Sequence, residues 1–313
     1  MITLQEPAAW SDGRVDGVVR DIRRPIPYDG LLSGAVFRMG DETAGPVVSM
    51  TIQERIFPRK APVHMHKSDS FRMALGEPIR VGGTSYAHGE FRLQRSDTFY
   101  GPEYWTDEVG TNQLLLMADR RGLKPYLTDA QRQRSVDLAL ADDVSLENIV
   151  PHPRDAVVEH KISNGFGATV RAGHFDAGFA DSGTWPALSE GSRLAVIALG
   201  HPWSGPLVLC WDRPPGAPAL PACRLPTDVA RLVVDGSLWL GDEEFGRLGF
   251  RLQQADSRQD SCRPGDSGCR ELWIVADRRG WSPTFDDGTG SAGRSVLTEA
   301  GRLIDAVIAE AAA

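Results

Sequence analysis

Between residues 60 and 102 apolar and polar positions alternate in short runs that end at Gly76, Gly82-Gly83 and Gly89. This is the pattern of brief antiparallel strands joined by tight turns. Near the C-terminus the period changes. Leu297, Ala300, Ile304 and Val307 or Ile308 recur at helical spacing, which predicts a last helix laying an apolar stripe on its domain. An earlier helix is predicted after Thr128, which stands three residues before Gln131 in a capping-box pattern and precedes the run VDLALADD. Proline, histidine and charge interrupt the periodicity in PHPRD, residues 151–155, so the predicted domains are 1–150 and 151–313.

The two halves repeat one another. Ala118-Asp119-Arg120-Arg121-Gly122 equals Ala276-Asp277-Arg278-Arg279-Gly280, and Phe91-Arg92-Leu93-Gln94 equals Phe250-Arg251-Leu252-Gln253. The offset of 159 from Phe91 to Phe250 also pairs Asp69 with Asp228, Arg72 with Arg231, Gly82 with Gly241 and Asp97 with Asp256. Further upstream AGPVVSM matches SGPLVLC. Ordered matches with small changes of offset are what a duplicated domain with loop insertions leaves behind. Each half therefore has one plan, a run of strands followed by a helix.

Composition narrows the function. The 313 residues, 41% hydrophobic, can bury a sizeable core, and 21 prolines with 33 glycines favour many strands and turns over a helical bundle. A net charge of −8 and a pI near 5.4 argue against nucleic acid or an anionic membrane surface as partner, since either needs clustered Lys and Arg. Arg23-Arg24 and Arg120-Arg121 are isolated doublets. The opening MITLQEPAAWSDGR lacks a positive flank and an apolar run, so a cytoplasmic protein is expected. Cys210, Cys223, Cys262 and Cys269 all lie in the second half, form no disulfide framework and are expected to be free thiols. Cys262 and Cys269 flank RPGDSG, which reads as a hairpin loop, and could bridge across its base in oxidising surroundings. Gly165 and Gly167 form a bare G-x-G, read as a turn. No G-x-S-x-G elbow or Ser-His-Asp order supports nucleophilic hydrolysis.

The chemistry-bearing stretch holds His64 and His66. Two histidines separated by one residue on a strand project from one face and can share a metal ion. His88, immediately before the Gly89 turn, is expected at the surface.

An H-x-H strand, glycine turns and a duplicated body resemble the cupin superfamily, and the duplication resembles a bicupin. The first cupin motif, G(x)5HxH(x)3-4E(x)6G, is met by His64, His66 and Gly76, with Asp69 or Ser70 where the glutamate stands. In the second motif, G(x)5PxG(x)2H(x)3N, Gly89 matches, Arg95 and Asp97 replace the proline and second glycine, and Tyr100 takes the place of the last histidine. The resemblance implies an all-β chain of two tandem cupin jelly-roll barrels, each followed by a short helix, with the site inside the first barrel. It implies a divalent metal (Fe, Ni, Mn or Zn, or no metal at all) held by His64 and His66, with Tyr100, Glu103 and Asp69 as further candidate ligands in that order. Projected through the repeat, His64 falls on Cys223, His66 on Leu225, Ser70 on Val229 and Tyr100 on Gln259, a set that cannot bind such an ion. The C-terminal copy is therefore expected to be degenerate.

Three functions follow from that resemblance. The first is a divalent-metal-dependent, dioxygenase-type enzyme acting on a small organic molecule. The second is a metal-independent isomerase, cyclase or epimerase in which His64 or His66 is the acid or base and Tyr100 its proton partner. The third is a non-catalytic small-molecule-binding cupin. Arg72 and Arg92 could bind a substrate carboxylate if they face inward, and Trp105 could line the pocket. A small-molecule substrate is the expected partner, and the family resemblance also admits a homodimer.

Overall fold

The computed structural model describes residues 13–19, 32–53, 60–61, 63–96, 98–101, 103–104, 112–123, 125, 163–164, 174–286 and 291–312. The chain is all-β in character and separates into two compact units. Of the described residues, those of 19–125 and 174–177 belong to the first and those of 13–18, 163–164 and 178–312 to the second. Residues 151–155 and the helix predicted after Thr128 lie outside the described residues, as does the G-x-G at Gly165.

In the first unit six strands pair in one sheet: Leu32–Arg38, Val47–Gln53, Ser70–Leu75, Glu90–Gln94, Asn112–Met117 and His174–Gly178. A four-stranded sheet is built from Lys60–Ala61, Ile79–Val81, Thr84–Tyr86 and Glu103–Tyr104. Ala74 from the larger sheet packs with Ile79, Val81 and Tyr86 from the smaller, so the two layers share a core, to which Tyr100 also belongs. Ser70–Leu75 is central and wholly buried. Because side chains alternate along a strand, Arg72 and Ala74 share the face that looks toward Tyr100, while Phe71, Met73 and Leu75 pack on the other. The loop at Gly82-Gly83 is the predicted two-residue hairpin. Gly82 has φ +61, which a side chain would resist, and its repeat partner Gly241 has the same φ.

The second unit has an eight-stranded sheet that includes Arg14–Val18, Arg193–Ala198, Leu207–Arg213, Val229–Leu240, Gly249–Gln253 and Cys262–Val275. A smaller sheet joins Cys223–Arg224, Arg258–Gln259 and Thr284–Phe285. Its core centres on Trp211, Trp273 and Trp281, and the helix Ser291–Ala312 covers it. As predicted, that helix buries Leu297, Ala300, Ile304 and Val307, with Ile308 partly buried. Neither unit is a single closed sheet. Among the described residues no helix is long and apolar enough to cross a membrane.

RPGDSG is not a hairpin loop. Cys262–Val275 is one long strand paired with Val229–Leu240, and the register shifts near Gly236. Gly236 and Gly268 face one another there, where a Cβ on Gly236 would meet the Gly268 carbonyl oxygen at 2.1 Å. The glycines mark an irregularity in the ladder rather than a reversal. All four cysteines are buried and free.

The repeated ADRRG segment is structural in both units. Arg120 donates to the carbonyls of Met39 (2.7 Å), Gly45 (3.0 Å) and Glu42 (3.1 Å). Arg278 does the same to Leu199, Pro202 (3.0 Å) and Gly205 (3.0 Å). Asp119 and Asp277 each accept from the backbone two residues on. A second repeat lies hidden in strands that share one residue type. Asp176 of the first unit and Asp16 of the second stand at equivalent places, 160 apart as Arg14 is from His174. Asp176 accepts from Arg92 at 3.0 and 3.5 Å, and Asp16 from Arg251 at 2.7 and 2.9 Å. Arg251 also reaches Glu243 at 2.8 Å and Asp260 at 3.2 Å, whereas among the described residues Arg92 adds a stacking contact with Tyr86 at 5.5 Å to its centroid and no second carboxylate. Asp176→Asn is therefore expected to destabilise by about 1.5–3 kcal/mol. Asp16→Asn should cost clearly less, because Arg251 keeps two carboxylates. Urea denaturation of the two variants checks this, and equal losses would contradict it.

Candidate functional site

The first unit brings His64, His66, Arg72, Tyr100 and Glu103 together. His64 and Tyr100 pair as an isolated bridge, exchanging backbone hydrogen bonds of 3.0 and 2.9 Å. That bridge sets the two side chains side by side: the His64 Nε2 lies 3.1 Å from the Tyr100 hydroxyl, with ring centroids 4.6 Å apart. His66 stands beside them, its ring 5.1 Å from that of His64 in a T-shaped arrangement, as the H-x-H spacing predicts. His66 is only partly exposed, and its Nδ1 is buried without a hydrogen-bond partner. Arg72 comes from the central strand. Its Nη2 pairs with Glu103 Oε1 and lies 3.5 Å from the Tyr100 hydroxyl, while Glu103 Oε1 is 3.9 Å from His64 Nε2.

The electrostatics follow from this packing. Burial pushes the His66 imidazole down to about 3, helped by the neighbouring His64, so the ring is neutral near pH 7. For Glu103 burial acts upward, but the Arg72 guanidinium and His64 outweigh it and hold the carboxyl at about 2. Burial and the Glu103 charge raise the Tyr100 phenol, which stays protonated. Burial works against the Arg72 charge, yet Glu103 and Tyr100 more than offset it and raise its pKa further.

One consequence is measurable as stability against pH. Between about pH 6.5 and 3 the unfolded chain binds a proton at His66 that the native state refuses, and between about 4.5 and 2 the same holds at Glu103. The unfolded state binds more protons in both windows, so stability falls as pH drops below about 6.5 and falls faster below about 4.5. His66→Gln should flatten the profile above about pH 4.5. Stability that rises from pH 6.5 to 5 in the wild type would contradict the assignment.

The other sequence-derived candidates lie elsewhere. Asp69 is fully buried but its Oδ1 accepts from the Ser96 backbone at 2.9 Å, as Asp228 accepts from Ala255 at 2.8 Å. That bond ties the loop at Ser96 to the start of the central strand. His88 Nδ1 accepts from the Gly76 backbone at 3.0 Å. Ser70 is a buried strand residue opposite Gln94. Arg92 faces the same side as Arg72, being its cross-strand partner, and its Nε and Nη2 donate to Asp176. Trp105 lies outside the described residues. Asp176 was not visible as a partner because only one residue of its strand repeats that of Asp16.

A divalent ion does not fit this donor set as arranged. The Arg72 guanidinium pairs with the Glu103 carboxylate and lies 3.5 Å from the Tyr100 hydroxyl, the two oxygen groups that would have to join His64 and His66 on the ion. Among the described residues no three His, Cys, Asp or Glu side chains converge as a metal set.

No protein-family model matches the chain, and no curated protein does either. Among solved structures, a protein of Nostoc punctiforme named as a "putative dioxygenase" is similar at 11% identity and TM-score 0.51, over 91% of this chain and 87% of that one. An oxalate decarboxylase of Bacillus subtilis aligns at 15% identity and TM-score 0.42, over 80% of this chain and 78% of that one. The decarboxylase is described with Mn(II) centers. What the first comparison shares with this chain is its fold.

Proposed function

We propose that the first unit is a small-molecule enzyme that moves protons without a metal ion, with His64 as acid or base and Tyr100 as its proton partner. The observation that carries this reading is the 3.1 Å hydrogen bond between His64 Nε2 and the Tyr100 hydroxyl, held beside the Arg72–Glu103 ion pair. Imidazole is the side chain suited to exchanging protons near neutrality. A proton removed from a substrate carbon by His64 is replaced by one delivered from Tyr100, and the hydrogen bond between the two returns the site to its starting protonation. Arg72, 3.5 Å from the hydroxyl, stabilises negative charge that develops there. The reaction class is proton abstraction and return beside a carbonyl: isomerisation, epimerisation or cyclisation.

In the second unit Cys223, Leu225, Val229 and Gln259 stand where the proton-moving and candidate ligand groups stand in the first. This supports a degenerate second copy without the same chemistry. The rival reading, a divalent ion on His64 and His66 with oxygenase-type chemistry, draws on the buried, partnerless His66 Nδ1 and requires Arg72 to leave Glu103. Incubating the protein with small carbonyl compounds in D2O, before and after exhaustive chelation, separates the two. Solvent deuterium should enter a carbon next to the carbonyl at the same rate in both preparations. Exchange that stops on chelation, or no exchange with any compound of the panel, counts against the proposal.

A further inference from the structure

The second unit contains a buried cation with which no carboxylate pairs among the described residues. Arg231, on the strand Val229–Leu240, is 3% exposed. It stands directly across from Trp273 and lies flat on it, its guanidinium carbon 3.8 Å from the ring centroid. Its Nη2 donates to Gln259 Oε1, while Nε and Nη1 are buried with no hydrogen-bond partner.

The repeat explains the imbalance. Arg231, Gln259, Cys223 and Cys262 occupy the places of Arg72, Tyr100, His64 and Glu103, all at the offset of 159. In the first unit the guanidinium meets the Glu103 carboxylate. In the second the equivalent residue is a cysteine, whose Sγ accepts from Arg213 at 3.5 Å. The buried acid nearest along the sheet, Glu271, is spent on Arg213 at 3.2 Å and on Trp273 Nε1 at 2.7 Å. Asp16, Glu243 and Asp260 are spent on Arg251. Cys223 does not supply the charge: burial pushes its thiol up to about 11 against the pull of Arg231. A guanidinium taken out of water without a counter-charge is costly, and one with open donors in an apolar setting selects a small anion with acceptor oxygens.

We propose that the second unit binds a small carboxylate monoanion at Arg231, against the edge of the Trp273-stacked guanidinium and next to Gln259. The site is separate from the proton chemistry proposed for the first unit and does not depend on it. It gives the duplicated copy a ligand-binding role in place of the chemistry it lacks.

The test uses the full chain and sodium acetate, with sodium chloride at matched ionic strength as the reference. The thermal midpoint of the wild type should rise saturably with acetate beyond its response to chloride. Gln259→Glu installs a carboxylate against Arg231 with almost no change of shape. That variant should unfold several degrees higher without acetate and lose the acetate-specific response. A variant that is no more stable than wild type, one that still responds to acetate, or a wild type that responds equally to both salts would overturn the proposal. Because Arg72 is untouched in this comparison, failure here leaves the first unit's chemistry to be judged by deuterium exchange alone.

Discussion

Tyr100→Phe is expected to slow the proposed proton exchange on a carbonyl substrate by about 10²–10⁴-fold while leaving the protein folded. The ring of Tyr100 packs in the cluster of Ala74, Ile79, Val81 and Tyr86, and phenylalanine preserves that packing. What is lost is the hydroxyl, its 3.1 Å bond to His64 and its 3.5 Å approach to Arg72, a stability cost of about 1 kcal/mol. His64→Ala should produce a loss of similar size. The double variant should be little worse than either single one, because in the proposed reaction the two groups pass the same proton and act as a unit. Solvent deuterium incorporation followed by NMR gives the rates. A Tyr100→Phe enzyme within tenfold of wild type would remove Tyr100 from the proton path.

Arg72→Met should destabilise the first unit by about 3–5 kcal/mol. The substitution keeps an apolar stem of similar length but strands the Glu103 carboxylate, which is 10% exposed and held ionised chiefly against burial by Arg72. Glu103→Gln alone strands the guanidinium instead. Arg72→Met combined with Glu103→Leu removes both charges and should recover most of the loss, as replacing a whole buried pair is often close to neutral. The second unit provides a contrast: Arg231→Met strands no carboxylate and should cost far less than Arg72→Met. Urea unfolding of the four variants measures these differences. Equal losses at Arg72 and Arg231 would show that pairing with Glu103 is not what sets the stability of the site.

The sequence made the scaffold legible because its signals are local or repeated. Turns at Gly82 and Gly241 declare themselves through residues that tolerate positive φ, and the final helix through Leu297, Ala300, Ile304 and Val307 at its spacing. His64 and His66 were legible as a pair from their H-x-H spacing, although an isolated bridge at His64 rather than a strand positions them. What could not be read was which of the surrounding charges enters the site. Arg72 and Arg92 sit opposite one another on adjacent strands, yet one reaches Glu103 and the other Asp176, and only the tertiary fold decides between them. Pro264, Gly265 and Gly268 suggested a turn, but the partner strand Val229–Leu240 accepts the irregularity through its own Gly236. Projection of the metal motif onto the second half found no ligands and passed over Arg231, because a missing counter-charge is invisible until burial and partners are known.

The central claim is that proton transfer between His64 and Tyr100 needs no metal ion. Elemental analysis of the purified protein, run beside deuterium exchange before and after chelation and in the His64→Ala and His66→Ala variants, tests it most directly. The account predicts substoichiometric metal, exchange unchanged by chelation, and loss of exchange in His64→Ala with no parallel loss of metal. A stoichiometric divalent ion that disappears in both histidine variants, with activity abolished by chelation and restored by that ion, would contradict it.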